Sequence, residues 1–471
     1  MDDRTTRERY KRLVKLAFGA VMLLGLCLLY AAVWIGYYNE HILQSPFYRR
    51  GNWVMILIYG ILLAFFMNTY GGFKIGYLKN GNLIYSQIIS VLFTNVLTYL
   101  QIAVIDRRFV NPIYIMLMTL GEILFIVVWT LLFQMAYRQL FPPRKMIFIQ
   151  GDRRDYHLMD KMNSREDKYE ICKILSYKEG IDKIKGLIKD YDAVLIGDMP
   201  SHERNLLLKY CFSLGIRSYS VPKISDVLLR SSDELNLFDT PLLLSRNIGL
   251  TVEQQWVKRL EDVVFSVLML ILFSPVFLIA AVGIKCTDGG PVFYKQKRLT
   301  KDGKIFEIYK FRTMIQNAEA LGGAQLAAED DKRILPIGRI LRRLRLDELP
   351  QIYNILKGDM SLVGPRPERP ELAAEIEKEI PEFPFRLKVK AGLTGYAQVY
   401  GKYNTTFYDK LKLDLTYIRK YSILLDFKLI IMTPKIMFMK ESTEGVTSEE
   451  SGKYKERKMS SDSDKMRDGC D

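Results

Sequence analysis

Four long apolar runs, Leu13–Tyr38, Trp53–Tyr70, Ile84–Ile105 and Pro112–Tyr137, fill most of the first 140 residues of this 471-residue chain. Each is close to the roughly 20 residues that a helix needs to cross a bilayer, where only internally hydrogen-bonded backbone is tolerated. The runs therefore predict a four-helix transmembrane domain over residues 1–140. The first is too long, and too promptly followed by further runs, for a cleaved signal peptide. Arg7, Arg9, Lys11, Arg12 and Lys15 head the first run, Lys74 and Lys79 lie between the second and third, and Arg138, Arg144 and Lys145 follow the fourth. The opposite loops carry Arg49, Arg50, Arg107 and Arg108. This bias predicts that the N-terminus and everything after the fourth run are cytoplasmic.

A fifth apolar run follows Lys258 and Arg259 and precedes Lys285, Lys295, Lys297 and Arg298, so the basic flanks pull both its ends to one side. Ser274-Pro275 sits near its middle, where proline removes a donor and disfavours helix in the residue before it. A helix-break-helix hairpin over 259–285, entering and leaving one leaflet, satisfies both facts. A kinked spanning helix is the competing reading, and it would carry everything downstream to the outside.

Between these membrane segments the composition becomes that of a soluble α/β domain, expected over 141–230. Strand KMIFIQG ends in Gly151, and strand DAVLIGD leads into a helical stretch. The turn after Gly151 has Arg153 and Tyr156 where a dinucleotide fingerprint would need glycines, so a Rossmann-like domain with a degenerate nucleotide site is expected. A linker is expected over 231–253, a mainly α domain over 254–440, and a disordered tail over 441–471, where periodicity gives way to Ser, Lys, Asp and Glu. The fold class is thus a mixed membrane protein.

The net charge of +15 does not interleave with stacking aromatics, which favours membrane lipids or phosphorylated substrates over nucleic acid. The five cysteines form no C-x-x-C pair, and the last of the three histidines is His202. Acid–base chemistry in the C-terminal half must rest on carboxylates, lysine, tyrosine, a metal or the substrate. Asp347 and Glu348 stand just before Pro350 and the helical spacing of Ile352, Ile355 and Leu356, which predicts two carboxylates at a helix N-terminus. One of the pair can serve as nucleophile or magnesium ligand. Arg366 and Arg369, braced by Pro365, Pro367 and Pro370, offer forks for phosphate, and Lys310 and Arg312, on a half-buried strand, can neutralise a diphosphate. Upstream, Ile337, Ile340, Leu341 and Leu344 alternate with arginines as in a basic amphipathic helix, lying either in the headgroup plane or packed in a core.

From about Trp256 to Lys440 these motifs resemble the bacterial sugar transferases, the monotopic phosphoglycosyl transferases. GGPVFYKQKR, IYKFRTM, LDELPQIYNILKGDMSLVGPRP and KAGLTGYAQVYGK occur in that family's order, and the whole chain looks like its large members that initiate exopolysaccharide or capsule synthesis. The resemblance implies transfer of a sugar 1-phosphate from a UDP-sugar to undecaprenyl phosphate with release of UMP. Asp347 would form a covalent phosphosugar intermediate, and Glu348, with Asp347, would hold Mg²⁺. It further implies phosphate or substrate binding by Lys310, Arg312 and Arg366, support from Gln351 and Asp359, and ligand contact by Thr394 and Gln398 in the glycine-punctuated loop. A homo-oligomer and polysaccharide assembly proteins are expected partners. Thr300, where the family often has glycine, and Leu344-Arg345, in place of threonine-serine, are departures. The alternatives are a non-catalytic membrane organiser and a conventional glycosyltransferase that releases UDP.

Overall fold

The computed structural model describes residues 3–42, 46–151, 156–237, 239–245, 249–315, 333–402 and 405–437. Arg153 and the tail expected over 441–471 lie outside them. The chain divides into two compact units, Met1–Lys223 and Ile224–Asp471.

In the first unit, α1 (Asp3–Val33), α2 (Arg50–Tyr70), α3 (Asn80–Asp106) and α4 (Ile113–Leu140) correspond to the four apolar runs. They share a core that includes Phe18, Met22, Leu26, Tyr59, Leu63 and Ile126, while Leu24, Leu57, Val104 and Leu120 point outward, as expected of helices surrounded by lipid. Strands β1 (Arg144–Gln150), β2 (Tyr169–Ser176), β3 (Ala193–Ile196) and β4 (Arg217–Ser220) form an all-parallel sheet in the order β2-β1-β3-β4. The crossovers contain α5 (Tyr156–Asn163), α6 (Ile181–Ile188) and α7 (Ser201–Ser213), giving the Rossmann-like connectivity. Gly151 has a packing reason: a Cβ there would lie 1.9 Å from the carbonyl oxygen of Asp198. Gly151 at the end of β1 therefore lies directly against the backbone that follows β3.

The second unit begins earlier than the sequence suggests. Helix α8 (Ile224–Leu229), expected in the α/β domain, places Ile224 in the second unit's core, and Arg419 donates to Ser231 Oγ at 2.8 Å. The expected linker contains an antiparallel pair, β5 (Asp233–Leu235) and β6 (Leu242–Leu244). Helix α9 (Val252–Asp288) opens on a capping box of Thr251 and Gln254. An antiparallel hairpin of β7 (Phe293–Leu299) and β8 (Ile305–Phe311) follows, then α10 (Pro336–Arg343), α11 (Gln351–Lys357), β9 (Met360–Val363) and α12 (Pro370–Glu379). Strand β10 (Ala391–Thr394) pairs in parallel with β9, and α13 (Tyr396–Tyr400), α14 (Phe407–Arg419) and α15 (Ile423–Met437) complete the unit.

Five helices, α1 to α4 and α9, are long and apolar enough to cross a bilayer, which marks the chain as a membrane protein of mixed helix and sheet content. The fifth corrects one expectation. It runs as a single helix through Ser274 and Pro275 instead of breaking into two there. Proline leaves the Ile271 carbonyl without its helical donor, but the Ser274 hydroxyl donates to that carbonyl at 2.8 Å. The serine thus replaces the missing N–H.

Both ends of α9 are fastened to the same unit. Near its start, buried Lys258 pairs with Asp426 of α15 at 2.5 Å, and Asp262 accepts from Ser361 Oγ and Leu362 N at 2.8 Å each. Near its end, Phe277 meets the Phe311 ring at 5.3 Å between centroids, and Arg312 grips Asp288. Between them Ile271, Leu272, Leu278 and Ile279 are exposed.

The Ser274-Pro275 arrangement predicts a non-additive pair. Ser274→Ala should destabilise the protein by about 1–3 kcal/mol by leaving a carbonyl unpaired in apolar surroundings. The same change should cost little in a Pro275→Leu background, where a backbone N–H returns. Thermal unfolding of the four combinations in nanodiscs checks this; additive losses would count against the serine's role.

Candidate active site

The site is built on β8 and α11, and one side chain aligns them. Asn354 of α11 donates from Nδ2 to the Glu307 carbonyl at 2.7 Å and accepts from Tyr309 N at 3.0 Å, so its amide pairs with β8 as a neighbouring strand would. Phe306, Ile308 and Phe311 turn their side chains into cores on the strand's buried positions. At the far end of α11, Arg259 of α9 donates to the carbonyls of Ile355 and Leu356 at 2.6 Å each, satisfying C-terminal groups that the helix leaves open.

This alignment brings Lys310 to Glu348. Lys310 Nζ donates to Glu348 Oε1 at 3.0 Å, and Arg366 Nη2 donates to the same oxygen at 2.8 Å. Glu348 Oε2 takes no partner among the described residues. The carboxylate is largely buried, yet the two cations, Arg366 first, hold its pKa well below the usual range. Asp347 has the opposite bias. Burial raises its pKa, the neighbouring Glu348 charge adds to that, and Lys310 and Arg342 oppose it. Its side chain makes no hydrogen bond or ion pair with another side chain among the described residues. The pair therefore contains one anchored anion and one unengaged, more basic carboxylate.

The carboxylate pair stands at a helix start, as expected, but on a 3₁₀ turn that precedes α11 and not in the first turn of α11 itself. Asp347 and Glu348 lie on a short 3₁₀ turn, Leu346–Glu348, entered through Arg345 at φ 52°, with Leu349 and Pro350 before α11. The helix has only seven residues, so the electrostatic support comes from two side chains contributed by distant segments and not from a macrodipole.

The loop that carries Arg366 is held on four sides. Arg298 donates to the Pro367 carbonyl at 3.2 Å, Arg386 to the Arg366 carbonyl at 3.0 Å, Leu299 N to the Glu368 carbonyl at 3.0 Å, and Gly392 N to the Pro365 carbonyl at 2.9 Å. Arg386 is itself paired with buried Asp414 at 2.8 Å. Sequence inspection passes over Arg259, Arg298, Asn354 and Arg386, because their partners are backbone atoms of remote segments and leave no periodic trace.

Other expected site residues are engaged elsewhere. Arg312 is buried, with its fork on Asp288 and its Nε donating to the Pro291 carbonyl at 2.6 Å, so it fastens α9 to the end of β8 instead of presenting a phosphate fork. Thr394 shares a 2.8 Å hydroxyl contact with Thr433 of α15. Asp359 pairs with Lys357 at 3.0 Å beyond the opposite end of α11 from the dyad, and Gln351 is buried in the first turn of α11. Gln398 holds its amide away from solvent with no partner among the described residues. The loop's glycines have a packing cause: a Cβ on Gly392 would meet Gly364 N at 2.1 Å, and one on Gly395 would meet Gly364 O at 2.1 Å. Thr300 is a connector, donating to the Asp359 carbonyl at 2.7 Å and accepting from Ala391 N at 3.2 Å. Leu344 and Arg345 form the exit of α10 and the positive-φ entry to the dyad turn.

The bacterial sugar transferase family model matches residues 253–440. The chain is 38% identical over 251 residues to the UDP-N-acetylgalactosamine-undecaprenyl-phosphate N-acetylgalactosaminephosphotransferase of Aeromonas hydrophila, an alignment covering 52% of this chain and 58% of that protein. It is 34% identical over 263 residues to the UDP-glucose:undecaprenyl-phosphate glucose-1-phosphate transferase of Klebsiella pneumoniae, covering 54% of each. A Xanthomonas campestris pv. campestris protein of the same description is 37% identical over 220 residues, covering 45% of this chain and 46% of its own length. The chain thus spans about half the length of the curated relatives it matches. Residues 253–440, which carry the carboxylate pair and both cations that hold it, are the part of the chain that matches the bacterial sugar transferase family.

Proposed function

We propose that the protein transfers a sugar 1-phosphate from a UDP-sugar to undecaprenyl phosphate and so initiates a surface polysaccharide. The asymmetry of the dyad carries this reading: Glu348 is tied to Lys310 and Arg366, while Asp347 is unengaged and made more basic by its surroundings. Asp347 attacks the β-phosphorus, the bond to the α-phosphate oxygen breaks, and UMP leaves. A phosphate oxygen of undecaprenyl phosphate then attacks the same phosphorus and returns Asp347 as a carboxylate. The acceptor is already anionic near neutral pH, in keeping with a site that has no histidine after His202. Lys310 and Arg366 neutralise the diphosphate on its way to Asp347, Arg366 through guanidinium donors other than the one engaged by Glu348.

No group of three or more metal-ligating side chains occurs among the described residues. Two carboxylates nevertheless suit Mg²⁺, which commonly takes one or two protein oxygens and completes its shell with phosphate and water. Asp347 and the free Oε2 of Glu348 would hold it, and when bound it would neutralise charge on the diphosphate.

The same proposal includes a cytoplasmic catalytic unit, a four-helix bundle spanning the membrane, and α9 as a re-entrant element. The fastening of both ends of α9 to one unit supports the last point. Exposed Ile340 and Leu344 beside Arg339 and Arg343 suit a headgroup contact for α10. Homo-oligomerisation and association with polysaccharide assembly proteins remain part of the proposal.

Incubating the purified protein with UDP-sugars and Mg²⁺ should give UMP and a phosphosugar adduct on the Asp347 peptide. Release of UDP, or an adduct that persists in Asp347→Asn, would sink this assignment. Because Asp347 must be ionised to attack and its pKa is raised, kcat/KM for UMP release should fall on acidification with a midpoint higher than an unperturbed aspartate would give. Lys310→Met removes a charge that favours the ionised form, so the midpoint of that fall should move to higher pH. An unmoved midpoint would show that Lys310 does not act on Asp347. Arg366→Lys should lower turnover at least tenfold with little change in melting temperature, whereas Arg312→Ala should chiefly lower melting temperature.

A further inference from the structure

A cavity of about 280 Å³ lies behind the loop that presents Arg366. Its lining includes Pro365, Arg366, Phe383, Leu387 and the carboxylates Glu368 and Glu377. It also includes Arg386, which is only 6% exposed. That guanidinium stacks on Phe383 at 5.0 Å, engages the Arg366 carbonyl and Asp414 and pairs at 3.6 Å with one oxygen of Glu368, yet its Nε has no partner among the described residues. An unpaired N–H in a nearly dry, mostly apolar cavity is a specific demand for an acceptor. On the other side of the loop, Arg366 reaches Glu348 with Nη2 alone, and its remaining donors have no partner among the described residues.

We infer that this cavity takes the base and ribose of the nucleotide donor, a pyrimidine nucleoside, with the diphosphate running along Arg366 to the dyad. The inference rests on the phosphosugar-transfer reading and places the donor's leaving half within it. The volume is at the small end for ligand sites and suits one nucleoside rather than a whole nucleotide sugar. A pyrimidine ring carbonyl supplies the acceptor for Arg386 Nε, and ribose hydroxyls supply donors for Glu368 and Glu377. Those carboxylates repel phosphate, so the charged part of the donor stays at Arg366, outside the cavity. The alternative cradle, the loop around Gly392 and Gly395, is filled by the Gly364 backbone.

The full-length protein in nanodiscs should be photolabelled with 5-azido-UDP, with and without excess UMP, and its peptides mapped. UMP-protected label should fall within 365–377 and 383–387. Protected label confined to 392–401 or another segment, or no protected label, would overturn the inference. Leu387→Trp, which projects a ring from the half-buried rim, should raise KM for the UDP-sugar about tenfold without lowering the melting temperature; an unchanged KM would also overturn it. Protected label at the cavity in a protein that releases no UMP on turnover would support the nucleoside site while refuting the transfer reaction, so the two failures are distinct.

Discussion

A glutamate half-buried beside an aspartate stays charged only if cations meet it, and the second unit is organised around meeting Glu348. Lys310 comes from a strand edge, Arg366 from a proline-braced loop 18 residues downstream, and both converge on one carboxylate oxygen. Like charges in adjacent positions raise each other's pKa, and desolvation adds to this. Giving both cations to Glu348 resolves the competition in one direction. It leaves Asp347 as the more basic and less encumbered member, the property a carboxylate needs to attack phosphorus.

Several features of the fold act through this arrangement. Asn354 sets the register of α11 against β8 and thereby the reach of Lys310, while Arg259 closes the opposite end of α11. Arg298 and Arg386 hold the carbonyls of the Arg366 loop. Arg259 and Asp288 both belong to α9, so the membrane helix is bonded to the two elements that position the dyad. The position of the long apolar helix α9 and the geometry of the carboxylate site are therefore mechanically linked, without any residue of α9 in the described site contacts of Asp347 or Glu348.

The first unit uses a different logic. Its four apolar helices and parallel sheet follow from hydrophobic content and strand–helix alternation, and the glycine that resembles a nucleotide-binding turn is required by the crossing of two backbones. The same explanation holds for Gly392 and Gly395, where close approach of Gly364 forbids a Cβ. A glycine motif records that something comes close; only the coordinates tell whether that is a ligand or the chain itself.

The sequence by itself determined the apolar helices, the α/β alternation, the carboxylate pair and the likeness of the C-terminal segment to the bacterial sugar transferases, because each is carried by residue type and short-range spacing. Lys310 and Arg366 were legible as candidate phosphate cations, but their common engagement with Glu348 was not. Arg312 lies two residues from Lys310 and presents the same charge, yet its fork is closed on Asp288; the difference is set by which segment packs opposite each side chain. Likewise Ser274-Pro275 carried a signal to break a helix, yet the helix continues with the serine hydroxyl as the carbonyl's donor. The tertiary structure decided which charged groups are already satisfied and which remain available, since that depends on contacts between residues far apart in the chain, which no local pattern encodes.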